Sequence, residues 1–151
     1  YIRNQLCSYF VHPNISTALS VGIDRGFNIS NFKLMKNHIQ KSLKRKGISD
    51  IETRKIGDQA FIFCIISALI SYSRSMLLRK ADPEKGSKIR KQLIKNIVSD
   101  LDIKNSIKNY TRSKNESFLI PKSIAWRSSL LLEILCNNRA KEILRIRREN
   151  N

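Results

Sequence analysis

The sequence predicts a mainly α-helical fold: a helical bundle-like region behind a short irregular or β-leaning N-terminal edge. Three observations predict it. From Asn31 onward, apolar residues recur near the 3.6-residue helical period. The 151 residues include only five Gly and three Pro, too few for a turn-dense β fold. Hydrophobic residues make up 41% of the chain, enough to bury a core, so a wholly disordered basic tail is excluded.

Residues 1–30 differ from the rest and read as an irregular edge. Cys7, Tyr9 and Val11 alternate with Ser8 and Phe10, which suits a short strand before His12 and Pro13. Gly22 and Gly26 flank a turn. Residues 31–151 form a basic helical region. Its first helix carries Phe32, Leu34, Met35, Ile39 and Leu43, with Gly47 as its stop. The second starts at Ser49 or Asp50, either of which can cap it, and runs through the apolar stretch Ala60 to Ile70. That stretch is short of the roughly 18 residues that a membrane span needs. The segment from Ala81 to Ser87 reads as a loop, because Pro83 and Gly86 break the helical pattern, with Asp82 able to cap the next helix. Ile89, Leu93, Ile97 and Leu101 then recur every fourth residue, beside Ile94 and Val98, and define an amphipathic helix. After a break at Tyr110 to Ser117, Pro121 interrupts or starts a helix. In the last helix Leu132, Cys136, Ala140, Ile143 and Leu144 face one way. The expected core is Phe61, Ile65, Ile66, Leu69, Leu93, Ile97, Leu131 and Leu135.

Charge narrows the function classes. Twenty-nine Lys and Arg against twelve Asp and Glu give a net charge of +17. The basic clusters that could bind an anion or a membrane are Lys41, Lys44, Arg45 and Lys46, and then Arg139, Lys141, Arg145, Arg147 and Arg148. Helices with cations on one side and Leu and Ile on the other suit an anionic membrane surface. Nucleic acid is the alternative partner, bound by a basic all-helical module. The chain shows no ribonucleoprotein-type aromatic stretch, no zinc-ligand spacing and no basic region joined to heptads. An acidic protein surface, or plain solvation of the charges, is also consistent with them.

Catalytic residues are scarce. His12 and His38 are the only imidazoles. Asp100 and Asp102, like Asp50 and Glu52, read as capping or solvated groups. Cys7, Cys64 and Cys136 are too far apart for a zinc module, and their odd number fits reduced thiols. Cys64, inside the apolar run, is expected to be buried and inert. No phosphate loop, dinucleotide fingerprint or Ser-His-Asp order occurs.

Two stretches carry a resemblance. The segment Leu6 to Ser30, with Pro13, Asn14, Ser16 and the phrase Ser20 to Gly26, is similar to the end of the sugar-nucleotide-binding domain of bacterial family 2 glycosyltransferases of the capsule and lipopolysaccharide type. Ile70 to Lys80 and Asn109 to Cys136, with Tyr110, an Asn/Ser-rich turn, Ile120-Pro121 and a Leu-rich helix, resemble the helical C-terminal tails of such enzymes. Arg25 and Phe27 stand where many relatives have small residues. The resemblance implies a non-catalytic portion of an enzyme that moves a sugar from a nucleotide-sugar to a lipid-linked or growing glycan. It implies that Mg or Mn serves the parent enzyme, and that the D-x-D motif and the catalytic base lie in an upstream catalytic domain before Tyr1. It further implies a cytoplasmic, peripheral location at the inner face of the cell membrane, where a lipid-linked glycan acceptor resides.

Overall fold

The computed structural model describes residues 28–78, 83–112 and 116–149, of which residues 83–85 and 147 are described by backbone alone. Six α-helices are described: α1 (Ile29–Arg45), α2 (Asp50–Leu78), α3 (Pro83–Ser99), α4 (Leu101–Ser106), α5 (Leu119–Ala125) and α6 (Ser129–Glu149). A single 3-10 turn, Ile107–Asn109, follows α4. The fold is mainly α, and no strand occurs among the described residues. The expected strand at Cys7 to Val11 and the turn at Gly22 and Gly26 lie outside them.

Local sequence sets the helix ends. Asn28 caps α1 by accepting the Ser30 N–H at 2.9 Å, so the helix opens two residues before Asn31. At its other end Gly47 takes φ +77°, and its N–H donates to the Lys44 carbonyl while that of Ile48 donates to Leu43. This paired closure requires a left-handed residue, and glycine adopts that conformation at no steric cost. Of the two expected caps of α2, Ser49 is the one used: its Oγ accepts the Glu52 N–H at 3.3 Å. Asp50 and Glu52 then sit in the first turn, where the helix dipole favours anions.

Two boundaries differ from expectation. The loop before α3 does not extend through Gly86, because α3 already begins at Pro83. Proline is well suited to a first helical position, where its missing N–H has no partner to lose. Gly86 is buried within α3; a Cβ there would lie 2.7 Å from Met76 Cε, the mobile end of a side chain on α2. Nor does the amphipathic run continue through Leu101. Asp100 takes an extended conformation and accepts the N–H groups of Asp102 and Ile103 at 2.9 and 3.1 Å, starting α4. Leu101 is exposed as a result.

The core forms around α2. Phe61, Ile62, Ile65, Ile66 and Leu69 pack with Ile94 and Ile97 of α3, Ile103 of α4, Ile120 and Ile124 of α5, and Leu132 and Cys136 of α6. Leu131 is only half-buried, and the adjacent Leu132 takes the core place expected for it. Cys64 is half-buried too, with its Sγ 4.0 Å from Met35 Sδ. At 29 residues, α2 is long and apolar enough to cross a membrane. It meets α1, α3, α4, α6 and the 3-10 turn, while Ile56, Phe63, Leu77 and Leu78 on it remain exposed.

Candidate anion-binding surface

A polar cluster is buried where α1, α2 and α4 meet. Lys36 Nζ of α1 lies 2.6 Å from Asp58 Oδ1 of α2 and donates to Ser106 Oγ at 2.8 Å. Asn109 Nδ2 donates to Asp58 Oδ2 at 2.7 Å. Burial pushes the Asp58 carboxyl upward, but the hydrogen bonds from Lys36, Asn109 and Ser106 outweigh it and hold the group below the usual carboxylate range. Asp58 is 3% exposed, which keeps it from reaching a substrate, and its partners join α1, α2, α4 and the 3-10 turn. Lys33 bridges Asp100 and Asp102 at 2.7 and 2.8 Å, so these carboxylates fasten α1 to the start of α4. Asp100 is a cap, as the sequence suggested, and both carboxylates also hold an ion pair that it did not.

Other candidate chemistry is equally structural. Among the described residues, no group of three or more His, Cys, Asp and Glu is placed to hold a metal ion. Burial raises the Cys64 thiol and pushes Cys136 up to about 12, although Arg90 pulls the latter slightly down. Neither is a ready thiolate at neutral pH. His38 is exposed on α1, and His12 lies outside the described residues. Arg90 of α3 spans to α6, donating to Asn137 Oδ1 at 2.6 Å and Glu133 Oε1 at 2.7 Å.

The expected basic residues do not form one site. Lys41, Lys44, Arg45 and Lys46 are exposed at the end of α1, where cations complement the carbonyl end of the helix. Lys44 is paired with Asp50 at 2.8 Å. The second cluster is on α6. Arg139 pairs with Glu142 at 2.7 Å and Arg145 with Glu149 at 3.6 Å, while Lys141 and Arg148 are exposed. The side chain of Arg147 lies outside the described residues. Arg139 and Ile143 line a groove of about 240 Å³ together with Ile70 and Arg74 of α2. Lys44 meets α2 at Asp50 and Arg139 borders it at Ile70, twenty residues on, so these two basic residues meet α2 about 30 Å apart.

A third cationic feature combines charge with aromatic rings. Phe118, Lys122 and Trp126 follow one another at four-residue spacing across α5 and its two caps. Lys122 Nζ stands 3.9 Å from the Phe118 ring centre and 5.8 Å from that of Trp126, and the Arg112 guanidinium is 5.5 Å from Phe118. Phe118 is 52% and Trp126 61% exposed, large values for rings of this size. With Tyr110 and Pro121, Arg112, Phe118 and Lys122 border a shallow cleft of about 340 Å³. Charge clusters alone do not single out this patch, although the spacing of Phe118, Lys122 and Trp126 is visible in the sequence.

The chain matches no protein-family model, no curated protein and no solved structure.

Proposed function

We propose that the chain is a non-catalytic helical module that holds its parent enzyme, a family 2 glycosyltransferase by resemblance, against an anionic membrane surface. The observation that carries this reading is the separation of the basic residues: Lys44 meets α2 at Asp50, and Arg139 borders it at Ile70, about 30 Å on. Such spacing suits an extended anionic surface better than a small anion, which would need its cations converging on one point. Each Lys or Arg close to an anionic leaflet contributes about 1 kcal/mol, within a Debye length of about 10 Å at 0.1 M salt. The residues that carry the tail resemblance have structural roles here. Tyr110 donates to Glu116 Oε2 at 2.6 Å, Pro121 sits in α5, and Leu132 and Cys136 fill the core. Those roles fit a supporting rather than a catalytic part. On this reading the nucleotide-sugar, the Mg or Mn and the proton-transfer chemistry belong to the upstream catalytic domain, and the lipid-linked acceptor reaches it from the cytoplasmic leaflet.

The test is co-sedimentation with vesicles of phosphatidylcholine, with and without phosphatidylglycerol, at low and high salt and with duplex DNA as competitor. Binding that needs the anionic lipid, weakens with salt and survives DNA supports the reading. Charge reversal at Lys41, Lys46, Lys141 and Arg148 should abolish it. Unchanged partitioning of that variant, or complete displacement by DNA, overturns the membrane role. An upstream reading frame without a strand-end D-x-D would remove the transferase context.

A further inference from the structure

The geometry points to Phe118 and Trp126 as an interfacial wedge that enters the headgroup layer of an anionic leaflet, with Lys122 and Arg112 holding lipid phosphates beside it. This inference rests on the membrane reading above and names the element that makes the apolar contact.

Four observations carry it. The rings are exposed although the core is a few residues away: Ile120 and Ile124 of the same helix are buried, so α5 turns one face inward and its aromatic face outward. The cations lie against the aromatic rings. Lys122 at 3.9 Å and Arg112 at 5.5 Å from the Phe118 centre are within reach of a cation–π interaction. A nucleic-acid base stacking on Phe118 would have to displace such a cation, whereas an amphipathic ring beside a cation matches the boundary between acyl chains and phosphates. Two more aliphatic side chains are exposed close by in the sequence: Leu119, which follows Phe118, is 43% exposed, and Leu130, at the start of α6, is 69% exposed. Aliphatic groups gain free energy from partitioning into lipid and add nothing to base recognition. Finally, the patch borders the second basic cluster. Pro121 lines both the aromatic cleft and the groove that holds Arg74 and Arg139, so α5 separates two cation-bearing depressions.

Trp126 is the single tryptophan of the chain, so its emission reports this patch alone. The full chain is titrated with phosphatidylcholine vesicles containing phosphatidylglycerol. Emission should move to shorter wavelength, become shielded from iodide, and be quenched by lipids brominated near the headgroup end of the acyl chain. Replacing both rings, Phe118→Ser with Trp126→Ser, should weaken vesicle partitioning by about tenfold, given the apolar area withdrawn from water. Far-UV circular dichroism checks that this variant is folded, and the brominated-lipid measurement needs no variant. Co-sedimentation with unshifted, fully iodide-accessible emission would overturn the wedge and leave the membrane reading standing. Absence of co-sedimentation would overturn both. Quenching by single-stranded oligothymidylate, with no response to vesicles, would overturn the wedge in favour of base stacking.

Discussion

Lys36 Nζ of α1 and Asp58 Oδ1 of α2 meet at 2.6 Å beneath the protein surface, with the Asp58 side chain 4% and the Lys36 side chain 17% exposed. The pair forms where α1 crosses α2 near Gly57. A Cβ on Gly57 would fall 2.7 Å from Gln40 Cγ, so the missing side chain permits the approach that brings the two charges together. Removing one partner of such a pair leaves an uncompensated cation, so Asp58→Asn should cost roughly 3 kcal/mol. Asp50→Asn provides the contrast. Its pair with Lys44 is solvent-exposed, and it should leave the urea midpoint unchanged within error. Equal effects of the two substitutions would show that the buried pair has no special weight.

Acid should weaken the fold chiefly through its two partly buried carboxylates with lowered pKa values. For both Asp58 and Asp100, burial pushes the carboxyl up, but hydrogen bonds, led by Lys36 and Lys33 respectively, bring it below its ordinary value. A lowered folded-state pKa gives stability that is complete above the unfolded value, near 3.9, and is lost as pH falls through the folded value. Lys33 acts at the other end of the scale. Its hydrogen bonds to Asp100 and Asp102 raise it, so its contribution is complete below the unfolded value near 10.4 and is lost as pH rises through the folded one. Urea midpoints should therefore be level from about pH 6 to pH 9 and fall on the acid side. Asp58→Asn should flatten the acid fall, and an unchanged slope in that variant would sink the assignment.

Gly47 and Gly86 separate conformation from packing. Gly47 has open space around it and φ +77°, so Gly47→Ala meets only backbone strain and should cost about 1 kcal/mol. Gly47→Asn should cost less, because Asn tolerates the left-handed region better. Gly86 has ordinary helical geometry, and the atom its Cβ would meet is the mobile end of Met76. Gly86→Ala should be neutral or stabilising by up to about 1 kcal/mol through helix propensity. Thermal melts of the three variants check the order, which would fail if Gly86→Ala were the most damaging.

The parts legible in the sequence are those governed by periodicity and caps. The apolar stretch around Phe61 and Ile65 made α2 the core helix, and Ser49 and Gly47 marked the turn between α1 and α2. Leu101 misled because four-residue spacing says nothing about a break. The break is made by Asp100, whose side chain satisfies two backbone N–H groups and starts a new helix. Pro83 misled because proline both ends and begins helices, and only its neighbours decide which. The basic residues were visible as charge, but their separation depends on α1 and α6 meeting different parts of α2. The Phe118 and Trp126 patch was hidden for a related reason: aromatic residues at helical spacing usually signal a core, and only burial distinguishes an outward face.

Arg127 offers the most discriminating test of a local device. It joins α5 to α6 at φ 57°, a left-handed conformation that costs a non-glycine residue about 1 kcal/mol. Its N–H donates to the Ile124 carbonyl and that of Ser128 to Ser123, the same closure that Gly47 provides for α1. The side chain explains why arginine stands there. Arg127 Nε donates to the Val98 carbonyl at 2.9 Å and Nη2 to Ser99 at 3.3 Å, placing a cation on the carbonyl end of α3. Arg127→Gly relieves the backbone strain and loses the cap, so its two effects oppose each other and stability should change little. Arg127→Ala keeps the strain and loses the cap, and should be less stable than Arg127→Gly by about 1 kcal/mol. Urea denaturation of both variants measures the gap. Equal stabilities would mean that the left-handed conformation costs nothing here, and a destabilised Arg127→Gly would mean that the guanidinium cap outweighs it.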